Sequence, residues 1–240
     1  MSYRSRLYKT YASNVHEQDG QLNLSKIDRY GKVYDWYLRG WLPGDRQANI
    51  LEVGCGYGRL LRFFSKRGYI NVVGVDVSPE EVELAQKIHP NVVQEDALEY
   101  LEKHTEQFDL IIALDLIEHF HKDEVVRFLD ACRCALRPGG RLIIQTPNAD
   151  SPLSLTVRYG DFTHESYFNS NSLTKLMVVC GFTAIEAREQ GPVPCGFLSS
   201  VRWVLWKLIR LPLLVYNLIE TGSFGRGILS CVFIVRGMRV

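Results

Sequence analysis

The segments ILEVGCGYGRL (50–60) and VVGVDVSPEEVELA (72–85) decide the fold. Ile50, Leu51 and Val53 read as the end of a short buried strand, and Gly54, Gly56 and Gly58 follow in alternation, so the next turn can take backbone angles and close approaches that a Cβ would block. A second apolar run, Val72 to Val75, ends in Asp76. A carboxylate at the C-terminal edge of a strand can accept hydrogen bonds from both hydroxyls of a ribose. Together they predict a βαβ unit that holds an adenosine-type cofactor.

Spacing separates the two cofactor classes that use such a unit. A dinucleotide fingerprint needs G-x-G-x-x-G, which places the pyrophosphate on a helix N-terminus. Here Arg59 stands where the third glycine would be, and the pattern is Glu52-x-Gly54-x-Gly56-x-Gly58. A carboxylate two residues before the first glycine is awkward for a pyrophosphate. It suits a cofactor that carries an ammonium and a sulfonium.

On these residues the chain resembles the class I S-adenosylmethionine-dependent methyltransferases. The resemblance continues in order through VVQEDALEYL (92–101), FDLIIALDLIEHF (108–120), LRPGGRLIIQTPN (136–148) and FNSNSLTKLMVVCGFTAIEARE (168–189). It implies a Rossmann-like, doubly wound α/β fold with a seven-stranded, mostly parallel sheet whose last strand is antiparallel. The implied cofactor is S-adenosylmethionine, with S-adenosylhomocysteine as product. Its implied contacts are Glu52, Gly54, Gly56, Gly58, Asp76, Val77, Asp96, Ala97 and Leu114, with Asp96 beside the adenine amino group. The competing reading of Asp76 and Asp96 is an N-cap or a solvated loop carboxylate.

Helix and strand signals alternate, with helices expected at 59–67, 79–88, 122–136 and 171–180, as in a parallel sheet covered on both faces. Strands at 182–189 and 228–235 fit the last two positions. The organisation expected is an N-terminal helical cap (1–44), a core (45–190), a helical insertion (191–227) and a final strand (228–240). Within the cap, Ile27, Tyr30, Tyr34, Tyr37, Leu38 and Trp41 recur at helical spacing over 25–42.

From Phe197 to Ile209 the insertion puts Leu198, Val201, Val204, Leu205, Leu208 and Ile209 in one aliphatic sector, opposite Arg202, Trp203, Trp206, Lys207 and Arg210. Pro212 is expected to break or kink this helix. Three cations inside the apolar run argue against a spanning helix. The first expectation is that the aliphatic side docks on the domain as a lid. The alternative lays the helix in a membrane interface, a peripheral contact through 197–219.

The 28 Lys and Arg against 27 Asp and Glu argue against a nucleic-acid surface, and no Asn/Asp-Pro-Pro-Tyr/Phe cluster of the base-methylating relatives is present. Six scattered cysteines include no C-x-x-C pair and read as reduced thiols. The first residues lack an apolar signal-type stretch, so the expected location is the cytoplasm, with a possible peripheral place at the membrane.

For catalysis, the candidates past the strand ends are Asp115, Glu118, His119, His121, Asp161, His164 and Glu165. His164 stands first, as an imidazole in a polar loop that the resemblance to small-molecule methyltransferases implies faces the acceptor, and His119 second. Asp115, Glu118 and His119 fall at i, i+3 and i+4 and would share one helical face. In the resembling ubiquinone-biosynthesis O-methyltransferases a similar Glu-x-x-Glu-His string holds a divalent metal; here the first residue is Asp, and no metal is expected. The activity implied is O-methylation of a small molecule or of a glycan or lipid-linked acceptor. Quinone precursors and amines are alternative acceptors. The rivals are a non-catalytic sensor of the cofactor and another transfer from it, such as decarboxylation or aminopropyl transfer.

Overall fold

A computed structural model describes residues 3–11, 13 and 23–240. Within the expected cap, residues 1–2, 12 and 14–22 lie outside the described residues. Seven strands, β1 (Ile50–Val53), β2 (Val72–Asp76), β3 (Val92–Gln94), β4 (Phe108–Leu114), β5 (Leu136–Pro147), β6 (Phe182–Glu189) and β7 (Val232–Arg239), form one sheet in the order β3-β2-β1-β4-β5-β7-β6. Strands β1 to β5 pair in parallel, and β7 runs antiparallel between β5 and β6. This is the seven-stranded, mostly parallel arrangement anticipated from the sequence. Because β5 and β6 are both antiparallel to β7, the carboxyl end of β6 lies at the same edge as those of β1 to β5.

The helices bounded among the described residues are α1 (Tyr3–Tyr8), α2 (Leu24–Tyr37), α3 (Arg59–Lys66), α4 (Pro79–Gln86), α5 (Ala97–Glu102), α6 (Lys122–Ala135), α7 (Ser154–Arg158), α8 (Ser170–Val179) and α9 (Phe197–Thr221), with a 3₁₀ turn at Ile117–His119. Side chains alternate across the sheet. Ile50, Val72, Leu110, Ile112 and Ile143 pack with Tyr34 of α2, with Leu38 and Trp41 just beyond it, and with Leu60, Leu61 and Phe64 of α3. Leu51, Val53, Ile111, Leu142 and Ile144 pack on the other face with Phe128 and Leu129 of α6 and with Leu173 and Met177 of α8. Burial on both faces explains why these strands read as continuous apolar runs.

Three expectations need correction. The last strand begins at Val232 rather than 228, because the apolar Ile228-Leu229 pair precedes the ladder and Asn148 Nδ2 donates to the carbonyls of Ile228 and Ser230, holding them as a loop. Pro212 does not end the insertion helix, which runs unbroken through it to Thr221; the proline sits on the exposed side, where a carbonyl deprived of its donor can be hydrated. That helix also faces the other way: its aliphatic sector points outward, while Trp203, Trp206 and Arg210 turn toward the body. Among the described residues no helix is long and apolar enough to cross a membrane.

Candidate active site

The crevice opens at the carboxyl edge of the sheet. Gly54, Gly56 and Gly58 take φ of +69°, +49° and +83°, the left-handed region that favours glycine. At Gly58 a Cβ would also stand 3.2 Å from Cβ of Ala85, so α3 and α4 close on each other only with glycine there. Asp76 ties the loop to β2: Gly56 N donates to its Oδ2 and Ser78 N to its Oδ1, each at 2.8 Å. Burial raises the Asp76 carboxyl and these amides oppose the rise.

Glu52 shares the sheet face of Ile50 and so points toward α2 and α3. It is 4 % exposed and its Oε2 has no hydrogen-bond partner. Burial pushes its carboxyl well above the ordinary range, the Arg59 guanidinium pulls it down, and Asp76 adds to the rise. Arg59 stacks over Tyr30 at 4.5 Å and lies 5.7 Å from the Tyr34 ring, so the residue that broke the dinucleotide pattern is fixed by two tyrosines of α2. Val77 and Asp96 are exposed, and Asp96 caps α5 by accepting from the amides of Leu98 and Glu99, both on Oδ1. Ala97 opens α5, and Leu114 ends β4 half-buried. The expected cofactor residues therefore surround the ends of β1 to β4.

S-adenosylmethionine fits this cradle. The left-handed glycines permit backbone approach, Asp76 stands at the strand end, and the unpartnered Glu52 oxygen belongs to a buried carboxyl that a cationic ligand would draw toward its ionised form.

Two loops meet past the end of β4. Glu165 N and Ser166 N both donate to the Glu118 carbonyl, and Ser166 Oγ donates to the Phe120 carbonyl, so the 161–168 loop lies along the 117–120 turn. His164 and His119 are thereby brought together with ring centroids 4.9 Å apart. Asp115 does not join them on a helical face, because it sits in the left-handed region at φ +53° and only 117–119 is helical. Its carboxylate instead accepts from Gln145 Nε2 at 2.7 Å.

A chain of hydrogen bonds supports His119. Thr163 Oγ1 donates to Asp161 Oδ1 at 2.6 Å and lies 2.8 Å from His119 Nδ1; Tyr11 donates to Asp161 Oδ2 at 2.7 Å. With its one proton directed to the carboxylate, the Thr163 oxygen accepts from Nδ1–H. That tautomer leaves the Nε2 lone pair of His119 unprotonated. Burial pulls the imidazole down to about 4, and His164 acts in the same direction, so the ring is neutral at pH 7. Sequence reasoning had singled out His119 and Asp161 but missed Thr163, Tyr11 and the nearby Tyr8 ring, 6.4 Å from His119. Their only signal was that Thr163 lies between Asp161 and His164.

Glu118 is 1 % exposed; Thr146 donates to its Oε2 at 3.0 Å and its Oε1 has no partner. Burial, with Asp115 adding to it, holds this carboxyl well above its ordinary range. Glu118, His119 and His164 each offer one ligand atom, all within 4.8 Å of one another. The unpartnered Glu118 Oε1 and His164 Nδ1 make this N,N,O set compatible with a divalent transition metal.

A family model described as a methyltransferase domain matches residues 24–187. The chain belongs to the methyltransferase domain family. Its fold and cofactor are those of the class I S-adenosylmethionine-dependent methyltransferases. A ubiquinone biosynthesis O-methyltransferase, mitochondrial, of Dictyostelium discoideum is 33 % identical over 183 residues, covering 61 % of this chain and 54 % of the relative. This methyltransferase domain chain thus spans about half the length of that relative. An S-adenosylmethionine-dependent methyltransferase from Archaeoglobus fulgidus superposes with a TM-score of 0.66 at 20 % identity, covering 99 % of this chain and 100 % of that one. The phosphoethanolamine N-methyltransferase 2 of Haemonchus contortus, solved with phosphomonomethylethanolamine and S-adenosylhomocysteine, gives 0.63 at 16 % identity over 97 % of this chain and 60 % of that one. At these identities the two structures speak to the fold.

Proposed function

We propose that this chain transfers a methyl group to a hydroxyl oxygen of a small-molecule acceptor, with His119 as the base. The observation that carries the proposal is the Asp161–Thr163–His119 chain, which holds a neutral imidazole in one tautomer at the end of β4. An amine acceptor does not require a base held in this way, whereas a hydroxyl must lose its proton as the new bond forms. Bound S-adenosylmethionine supplies an electrophilic methyl on a sulfonium. Asp76 takes the ribose hydroxyls, Oδ2 of Asp96 the adenine amino group, the glycine loop the backbone contacts, and Glu52 the cationic end. His164 contacts the acceptor beside His119. Among hydroxyl acceptors, a quinone precursor is supported by the similarity to the ubiquinone biosynthesis O-methyltransferase of Dictyostelium discoideum, and a glycan or lipid-linked acceptor is the competing class.

The test is transfer of labelled methyl from S-adenosylmethionine to a panel of catechols, glycans and amines by wild type and His119→Ala. Turnover on a hydroxyl acceptor, lost in His119→Ala with cofactor binding intact, supports the reading. Transfer to no pool leaves a cofactor-binding sensor. A second reading is favoured by the Glu118, His119 and His164 cluster: these residues would hold a divalent cation that lowers the pKa of an acceptor hydroxyl.

A further inference from the structure

We propose that α9 seats its outward face on an anionic lipid bilayer surface. Eleven large apolar side chains between Phe197 and Ile219 are exposed on this one helix, among them Phe197 at 83 %, Leu198 at 77 % and Ile219 at 79 %. They fall in a continuous sector that includes Val201, Leu205 and Leu208 and carries no charge. The largest apolar patch of an ordinary monomer covers roughly 300–600 Å², and a face running the length of a 25-residue helix, about 37 Å, exceeds it.

This face is not waiting to fold onto its own domain. The opposite side is already seated: Arg210 Nη1 pairs with Glu189 at 2.7 Å, Arg210 Nη2 donates to the Gly227 carbonyl at 2.7 Å, and Trp206 lies so close to Gly191 that a Cβ there would stand 2.8 Å from its Nε1. Turning the aliphatic side inward would break the ion pair and expose both tryptophans.

The charges select the occupant. Arg202 and Lys207 border the apolar sector on its two sides. The acids nearby are Glu220 at the far end of the helix and Glu189, which is engaged by Arg210 and lies 3.8 Å from Lys207. A second copy would bring one cation-bordered face against another, whereas anionic headgroups complement it. The sector is also wider than the narrow seam of paired helices. β6 delivers the chain to α9 and β7 takes it up again at the carboxyl edge of the sheet, so the helix is tethered at the same edge as the crevice.

The experiment is co-sedimentation of the full chain with phosphatidylcholine vesicles, with and without phosphatidylglycerol, using wild type, Leu208→Glu, Val201→Glu and the pair Arg202→Ala with Lys207→Ala. S-adenosylmethionine binding by each variant checks that it is folded. The expected result is binding to phosphatidylglycerol vesicles, weakened at least tenfold by either glutamate, and weakened by added salt and by loss of the two cations. Absence of vesicle binding by folded wild type overturns the proposal, as does binding indifferent to both glutamates. So does a lipid-free wild-type dimer that either glutamate converts to monomer, which would make a second copy the occupant.

Discussion

Thr163 Oγ1 stands 2.8 Å from Nδ1 of His119, and its own proton points to Asp161. The hydroxyl therefore acts as an acceptor toward the ring and selects the tautomer whose Nε2 can take a proton. Thr163→Val keeps the shape and removes that acceptor. We expect kcat/KM to fall about tenfold or more while S-adenosylmethionine affinity stays constant, and Thr163→Ser to restore the rate. An unchanged rate in the valine variant would remove His119 from the base role.

The same imidazole sets a pH dependence. Its folded value of about 4 lies below the ordinary histidine value of 6.5, so the native state holds the neutral ring where an unfolded chain would bind a proton. The resulting stability is present in full above pH 6.5 and is lost as pH falls from 6.5 toward 4. Between pH 7 and pH 5 the urea midpoint should fall further in wild type than in His119→Gln, by the His119 contribution alone. The acidic limb of kcat/KM should likewise fall nearer pH 4 than 6.5, leaving the rate flat across the usual histidine range.

Metal dependence divides the two readings of the acceptor side. With His119 as base, treatment with a chelator leaves both turnover and cofactor affinity intact. Loss of turnover, restored by a divalent cation, would instead assign Glu118, His119 and His164 as its ligands, and His164→Ala would then abolish the restoration.

Asp76 is expected to be the dominant side-chain contact of the cofactor. It already anchors Gly56 N and Ser78 N, so Asp76→Ala removes both the ribose partner and the clasp between the glycine loop and β2. Calorimetry should show S-adenosylmethionine affinity falling tenfold or more, in line with the worth of hydrogen bonds to a charged group. Equal affinity in the variant would place the ribose elsewhere.

The proposed cofactor half of the crevice could be assembled from the sequence because its residues are local: Glu52 to Gly58 form one strand end and one turn, and Asp76 closes the next strand. The proposed acceptor half could be assembled only in part. His119 and Thr163 are joined by a fold that lays one loop on another, and no periodicity connects them. The orientation of α9 was hidden for a related reason. A helical wheel locates the apolar sector around Leu208 but not the direction it faces, which depends here on Glu189 and Gly191 in the preceding strand and loop receiving Arg210 and Trp206. Ile228 and Leu229 misled the strand boundary because apolar residues beside a ladder look like members of it.

Gly74 offers a test of how tightly the cofactor half is supported. It is buried in β2, and a Cβ on it would stand 2.7 Å from Cδ1 of Leu61 and 2.9 Å from Sγ of Cys55. Leu61 belongs to α3 and Cys55 lies between Gly54 and Gly56, and both side chains are buried, so relief of the clash must repack these side chains or shift the helix or the loop that carries them. Gly74→Ala should therefore cost about 1–3 kcal/mol, as overpacking of a filled core does, and should weaken S-adenosylmethionine binding through the displaced loop. Gly44→Ala is the matched control, since a Cβ there meets nothing within 4 Å and both quantities should stay unchanged. Full stability with weakened binding would show that the loop alone yields. Loss of stability with affinity retained would show that α3 yields and that Cys55 stays in place.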